Sequence, residues 1–263
     1  MFRQEMESSA KKKKSNIILA LDLGVDRPQR LLTRSLRILN ATHEHLCALK
    51  LNRQAVLPLG LFNGVQKIIN KAKEVDLLTI MDAKINDIGN TNRAIAEYYY
   101  KAGFDAVIAS PFVGWNEGLQ PVFEVAQKMN RGVIVLVYMS HKGAVEGYGQ
   151  LVQDSNTDQL VPQYRIFAER ALKWNADGAV VGATYPEKIR EIQAVLKGKV
   201  AIYSPGVGVQ GGDAESAVRA GADYLIVGRS IVEAEDPERK AKQIRDAAWQ
   251  GLKTQRQKDR VRK

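Results

Sequence analysis

The chain has 263 residues, 45% hydrophobic and 26% charged, a balance that excludes wholesale disorder and suits one (β/α)8 barrel, which takes roughly 250 residues. Cys47 is the sole cysteine, which rules out a disulfide framework or a multi-cysteine zinc site and points to a reducing compartment. The net charge of +10 invites a nucleic-acid function, but it sits at the ends: residues 1–14 hold five cations against two carboxylates and residues 253–263 six against one, leaving +2 on the rest.

In chain order, residues 1–14 are a basic extension without apolar periodicity, expected to be disordered. The lysine run is followed only by Ile17-Ile18-Leu19-Ala20-Leu21 before Asp22 interrupts. No signal peptide is therefore expected, and no apolar run approaches the roughly 20 residues that span a bilayer. The expectation is a soluble cytoplasmic protein with no membrane partner.

From residue 15 onward, short apolar runs predict strands at 16–22, 46–51, 77–84, 105–110, 132–139, 178–183, 199–204 and 223–228. They are apolar at nearly every position, as parallel strands covered on both faces require. Helix-period stretches alternate with them at 27–40, 60–73, 89–102, 116–129, 162–174, 186–197, 213–221 and 236–252, with Asn90 and Thr91 as start signals and Gly103 as a stop. Eight β-then-α units consume residues 15–252 and leave no second domain. The predicted class is α/β, a single (β/α)8 barrel. Residues 141–160 form a glycine-containing insertion long enough to cover one barrel end, and residues 253–263 are a basic, mobile tail.

Sites in such barrels lie at the C-terminal ends of the strands. The first predicted strand ends in Asp22, the second in Lys50, and the third in Asp82-Ala83-Lys84, followed by Ile85-Asn86-Asp87. Residues two apart share a strand face, so Asp82 and Lys84 should point together into the barrel mouth. A lone charged residue at a strand end is more often solvated or capping. Three consecutive strands ending in charge above apolar residues are costly to bury unless the charges pair. The neighbouring carboxylates should keep Lys84 protonated, and a cationic lysine among carboxylates suits proton donation.

A second constellation follows the seventh strand: Ser204-Pro205-Gly206-Val207-Gly208-Val209-Gln210-Gly211-Gly212-Asp213, with Gly228-Arg229-Ser230 ending the eighth. A glycine-rich loop alone is as readily a tight turn. With Arg229 beside it, the loops after strands seven and eight suit a phosphate. Ser140, ending the fifth strand, could hydrogen-bond a polar ligand edge or serve as a turn residue. His43, His45 and His141 show no metal spacing, and His43 and His45 are expected on the surface. Trp115, Trp174 and Trp249 are read as packing. No P-loop, dinucleotide fingerprint or Ser/His/Asp arrangement is present.

Asp82-Ala-Lys84-Ile-Asn-Asp87-Ile88-Gly-Asn-Thr91 resembles the Asp-x-Lys-x-x-Asp motif of orotidine 5′-phosphate decarboxylases. Ala-Leu-Asp22, Ala-Leu-Lys50, Met139-Ser140, Pro205-Gly-Val-Gly, Gln210-Gly-Gly-Asp and Val-Gly228-Arg229-Ser are similar to that family in the same order, over residues 15–252. The likeness is to the short single-domain microbial type. It implies a homodimeric barrel with active sites at the subunit interface, converting orotidine monophosphate to UMP in de novo pyrimidine biosynthesis without cofactor or metal. In that likeness Lys84 protonates C6, Asp82 lies against the departing carboxylate, and Asp22 and Lys50 hold the ribose. Asp87, Ile88 and Thr91 reach into the partner's site. Ser140 reads the pyrimidine edge, and Pro205, Gln210, Gly228 and Arg229 grip the phosphate.

Two alternatives compete. Ketogulonate-phosphate decarboxylases and hexulose-phosphate synthases share the Asp-x-Lys-x-x-Asp motif but use Mg2+, held partly by a Glu after strand two, where Lys50 stands here. Nucleic-acid binding through the tails is disfavoured as a main role, because Lys/Arg stripes without interleaved aromatics give only sequence-independent attraction.

Overall fold

The computed structural model describes residues 2–155 and 157–261, with side chains up to residue 252. Among them, eight parallel strands close a barrel in chain order: β1 (Ile17–Ala20), β2 (Ala48–Asn52), β3 (Leu78–Ile85), β4 (Ala106–Ala109), β5 (Gly132–Tyr138), β8 (Gly178–Val181), β9 (Ala201–Pro205) and β10 (Tyr224–Val227). Two short strands, β6 (Leu151–Gln153) and β7 (Leu160–Pro162), form a separate antiparallel pair. Each predicted strand run contains or overlaps one barrel strand.

The outer layer comprises α2 (Pro28–Thr42), α3 (Arg53–Leu59), α4 (Gln66–Glu74), α5 (Gly89–Ala102), α6 (Gln120–Met129), α8 (Gln163–Lys173), α9 (Pro186–Leu196), α10 (Ala214–Ala220) and α12 (Pro237–Val261). Shorter α7 (Ala144–Tyr148) and α11 (Arg229–Val232) lie in loops, and α1 (Phe2–Lys13) precedes the first strand. Gly103 ends α5 at φ +107°, a left-handed position that suits glycine. Asn90 and Thr91 do not cap α5: the helix starts at Gly89, which places both inside its first turn. The helix expected at 60–73 is regular only from Gln66, as α4, after an irregular helical segment over Gly60–Val65; α3 precedes both as an unpredicted helix, started by Asn52, which accepts from the Gln54 N–H at 2.8 Å.

The two-residue period of the strands separates two cores. One parity, including Ile17, Leu19, Leu49, Met81, Val107 and Val135, packs outward against the helices. The other, including Ile18, Ala48, Ile80, Ala106, Ile134, Val180, Tyr203 and Tyr224, fills the barrel. Above the inward residues Ile18-Ala20, Ala48 and Ile80, the same parity delivers Asp22, Lys50 and Asn52, then Asp82 and Lys84, to the C-terminal mouth.

The disorder expected for residues 1–14 does not hold. Phe2, Met6 and Ala10 recur every four residues and are buried on one side of α1, inside the barrel core. That i, i+4 stripe was obscured by the lysine run beside it. Phe2 lies so close to Gly132 that a Cβ there would fall 2.4 Å from its ring. Ser9 donates to the Cys47 carbonyl at 2.6 Å, Lys13 to the Val75 carbonyl at 3.0 Å, and Lys12 pairs with Asp76 at 2.8 Å. The helix therefore closes the end of the barrel opposite the mouth. At the other terminus α12 runs past residue 252 to Val261, so the expected boundary of a mobile 253–263 tail is not an element boundary; its side chains lie outside the described residues.

The 141–160 insertion folds as α7 and most of the β6–β7 hairpin. Tyr148 anchors it against Tyr138 and Phe167, with ring centroids 5.8 and 6.0 Å away. Trp115, Phe123 and Trp174 form an aromatic cluster with centroids 5.2–6.2 Å apart, the packing role anticipated for the first and last of these. His45 is buried rather than on the surface; burial and the nearby Arg245 push its pKa below the ordinary histidine value.

Candidate active site

A cavity of about 510 Å³ opens at the C-terminal mouth. Its floor is the top inward layer of the barrel, Ala20, Ile108, Leu136, Val180 and Ile226. Nine of the residues singled out from sequence line it: Asp22, Lys50, Asp82, Lys84, Ser140, Pro205, Gln210, Gly228 and Arg229.

On one wall the charges form an alternating chain. Lys50 Nζ lies 2.9 Å from Asp82 Oδ2 and 3.7 Å from Asp22 Oδ2, and Lys84 Nζ lies 2.7 Å from Asp82 Oδ1. Each Asp82 oxygen is thus engaged by a different lysine. The Lys50 side chain is only 4% exposed and that of Asp82 13%. Burial opposes the charged form of Lys50, but Asp82 and Asp22 outweigh it and hold its pKa above the usual lysine value. Burial likewise opposes ionisation of Asp82, and Lys50 and Lys84 overcome it to hold the carboxyl below its usual range. Two ammoniums alternate with two carboxylates, and this pairing is what lets Lys50 and Asp82 carry charge while largely buried.

Lys84 occupies left-handed backbone at φ +47°, and the β3–β4 register shifts between Met81 and Ile85. A bulge re-aims a side chain at a sheet edge or site, and a non-glycine residue in this region costs of order 1–3 kcal/mol. The strain falls on the residue whose ammonium meets the cavity.

The opposite wall is the loop after β9. Gly206, Gly208 and Gly211 have φ of +97°, +87° and +91°. The loop is tied internally by Gly208 N–H to the Gly212 carbonyl at 2.8 Å and Gly211 N–H to the Gly208 carbonyl at 2.7 Å. Ser230 closes it from α11, accepting from Val209 N–H and donating to the Val207 carbonyl, each at 3.3 Å. A Cβ on Gly208 would sit 2.1 Å from Ser230 Oγ, so glycine is needed for that approach. Ser140 donates to Gln210 Oε1 at 2.7 Å, joining this loop to the end of β5. Arg229 stands exposed at the start of α11 and faces the cavity. Asp213 caps α10 by accepting from Ser216 N–H at 2.7 Å.

Three sequence candidates fall elsewhere. Asp87, Ile88 and Thr91 are exposed at the β3–α5 turn and do not line this cavity. Asp87 borders a second recess of about 450 Å³, whose wall also includes Lys84, Arg53, Tyr99 and Tyr148. His141 lies outside both spaces. Asn52 was missed: it lines the main cavity and donates to Asp22 Oδ1 at 2.7 Å. Its signal was its place two residues after Lys50 on the same inward face. Among the described residues, no group of three or more His, Cys, Asp or Glu is placed to hold a metal, and no helix is long and apolar enough to cross a membrane.

A pocket with paired carboxylates and ammoniums on one wall and a glycine loop with a guanidinium on the other suits a polar, anionic ligand. Comparison with known proteins gives that geometry relatives. Residues 15–244 match the model of the orotidine 5′-phosphate decarboxylase / HUMPS family. The orotidine 5′-phosphate decarboxylase of Methanococcoides burtonii is 36% identical over 234 residues, 89% of this chain and 97% of that protein. That of Pyrococcus abyssi is 37% identical over 231 residues, 88% and 97% of the two chains. Among solved structures, orotidine 5′-monophosphate decarboxylase from Methanocaldococcus jannaschii, complexed with the inhibitor BMP, superposes with a TM-score of 0.74 at 31% identity, covering 89% of this chain and 98% of that one. The Pyrococcus horikoshii OT3 enzyme gives 0.71 at 35% identity, covering 88% and 98%.

Proposed function

The chain belongs to the orotidine 5′-phosphate decarboxylase / HUMPS family, and from that membership we propose that it decarboxylates orotidine 5′-monophosphate to UMP, a carboxy-lyase step of pyrimidine biosynthesis. The observation that carries this choice within the family is the ion chain Asp22–Lys50–Asp82–Lys84. A sugar-phosphate enzyme of the Mg2+ type needs carboxylates free for the cation. Here the two carboxylates nearest that place are met by the Lys50 ammonium, which would repel a divalent ion.

The substrate phosphate rests against the loop at 205–213 and Arg229, with Pro205, Gln210 and Gly228 completing its seat. Ser140 reads the pyrimidine edge, and Asp22 and Lys50 hold the ribose. The pyrimidine carboxylate then lies against Asp82. As the bond between C6 and the carboxylate breaks, CO2 leaves and the electron pair remains on C6. Lys84 Nζ–H delivers its proton there, and the neutral amine regains a proton from solvent. The fixed charges meet developing carbanion character without reorganising, and phosphate binding far from the reacting carbon supplies part of the binding energy.

The active unit is a homodimer in which Asp87, Ile88 and Thr91 of each chain complete the partner's site. Support comes from the exposed apolar residues gathered on or beside α5, namely Ile88 (68% exposed), Tyr98 (57%) and Phe62 (53%), and from the recess on the far side of Lys84. The protein works in the cytoplasm, with neither nucleic acid nor membrane as its main partner. The test is a spectrophotometric assay with orotidine monophosphate in excess EDTA: full turnover is expected. Chelator-sensitive turnover of a sugar phosphate, with none of the nucleotide, would overturn the proposal.

A further inference from the structure

Asp22 lies beyond the last residue of β1, where no ladder hydrogen bond fixes it. The chain then passes through Gly24 at φ +75° to the fully exposed Val25. The carboxylate is positioned by side chains instead, and unequally. Asp22 Oδ2 is 3.7 Å from Lys50 Nζ, too long for a good hydrogen bond, whereas Asp22 Oδ1 receives the Asn52 amide at 2.7 Å. Asn52 is itself fixed twice. It ends β2 in register with Asp82, and its Oδ1 accepts from Gln54 N–H at 2.8 Å to start α3. That second bond decides the amide's orientation: with the oxygen engaged by a backbone donor, the NH2 group must face Asp22.

We infer that Asn52 is a positioning residue for ribose recognition: it holds one oxygen of Asp22 and so presents the other to a sugar hydroxyl. The inference rests on the proposal that Asp22 binds the ribose. Among the described residues that line the cavity, Asn52 joins the end of a barrel strand to a carboxylate on a loop. A carboxylate so tethered can accept a hydroxyl hydrogen bond without first being ordered, which saves the entropy of fixing it on binding.

The experiment separates the tether from the cap. Serine caps helices about as well as asparagine but is too short to reach Asp22, so Asn52→Ser should keep the thermal midpoint while losing the tether. With orotidine monophosphate, kcat/KM should fall about tenfold, the size of one hydrogen bond to a charged group. With the analogue lacking the hydroxyl that Asp22 holds, found by assaying the 2′-deoxy and 3′-deoxy nucleotides in turn, Asn52→Ser should equal the parent enzyme. Asn52→Gln, which keeps a donor amide, should recover part of the loss. A fall of equal size on all three substrates, or no fall on any, would overturn the role of Asn52. Asp22→Asn is the control for the underlying reading: if it leaves the ribose-to-deoxyribose preference unchanged, Asp22 does not bind the ribose and both ideas fail.

Discussion

At the scale of single residues, Lys84 combines three features that are hard to explain as structure alone. It takes a left-handed backbone conformation, it lies within a register shift, and its ammonium shares Asp82 with the more deeply buried Lys50. A surface lysine gains nothing from such a position. Replacing Lys84 by Ala should leave the phosphate and ribose contacts standing, so UMP should bind within a few-fold of its parent affinity in calorimetry, while turnover falls by the about 10²–10⁴-fold that a positioned acid supplies. Substantial residual turnover would reject Lys84 as the proton donor. That Asp82 and Lys84 point into the same cavity was legible from a spacing of two, the period of a strand. The positive φ of Lys84 was not, since it follows from how β3 meets β4, which no local pattern encodes. Asn52 escaped notice for a similar reason: an asparagine after an apolar run is an ordinary helix cap, and only closure of the barrel brings its other end to Asp22.

Elements were the most legible level. All eight strands lie within one or two residues of where apolar runs place them, because parallel strands buried on both faces can hardly be anything else. One helix, α3, was missed where capping chemistry rather than periodicity sets its start, at Asn52. Another device was invisible in sequence. Asp105, Asp177 and Asp223 stand just before β4, β8 and β10, and each accepts the N–H of a residue early in the preceding barrel strand: Thr79 at 2.8 Å, Val133 at 2.9 Å and Ile202 at 2.8 Å. These carboxylates bind alternate strand pairs together at the closed end, where α1 also packs. The helix belongs to this foundation, not to a solvated tail. Met6→Ala should cost about 2–5 kcal/mol in denaturant unfolding, the usual range for emptying a fully buried methionine site. Turnover of the folded enzyme should not change, because the mouth is at the other end. A loss below about 1 kcal/mol would mean that α1 only rests on the barrel.

For the whole molecule, the charge that first suggested nucleic acid has a more local explanation. Within α1, Lys12 pairs with Asp76 and Lys13 donates to the Val75 carbonyl, so part of the terminal basicity is spent fastening a helix. The anion is met instead by a few placed groups in one cavity. On the far side of Lys84, Asp87 of the same chain borders an open recess. If a second copy supplies Asp87 there, the defect of a Lys84→Ala chain and that of an Asp87→Ala chain reside in different halves of one site. Each variant alone should be nearly inactive. Mixed and allowed to exchange subunits, half the dimers become hybrids, and each hybrid rebuilds one intact site from the Lys84 of one chain and the Asp87 of the other. Activity should return to about a quarter of the parent value per site, the statistical share for a two-fold dimer. Sedimentation of the mixture establishes that dimers have formed. Dimers that form without any recovery would place Asp87 in the service of its own chain, and full activity in a monomeric parent would remove the partner from the mechanism altogether.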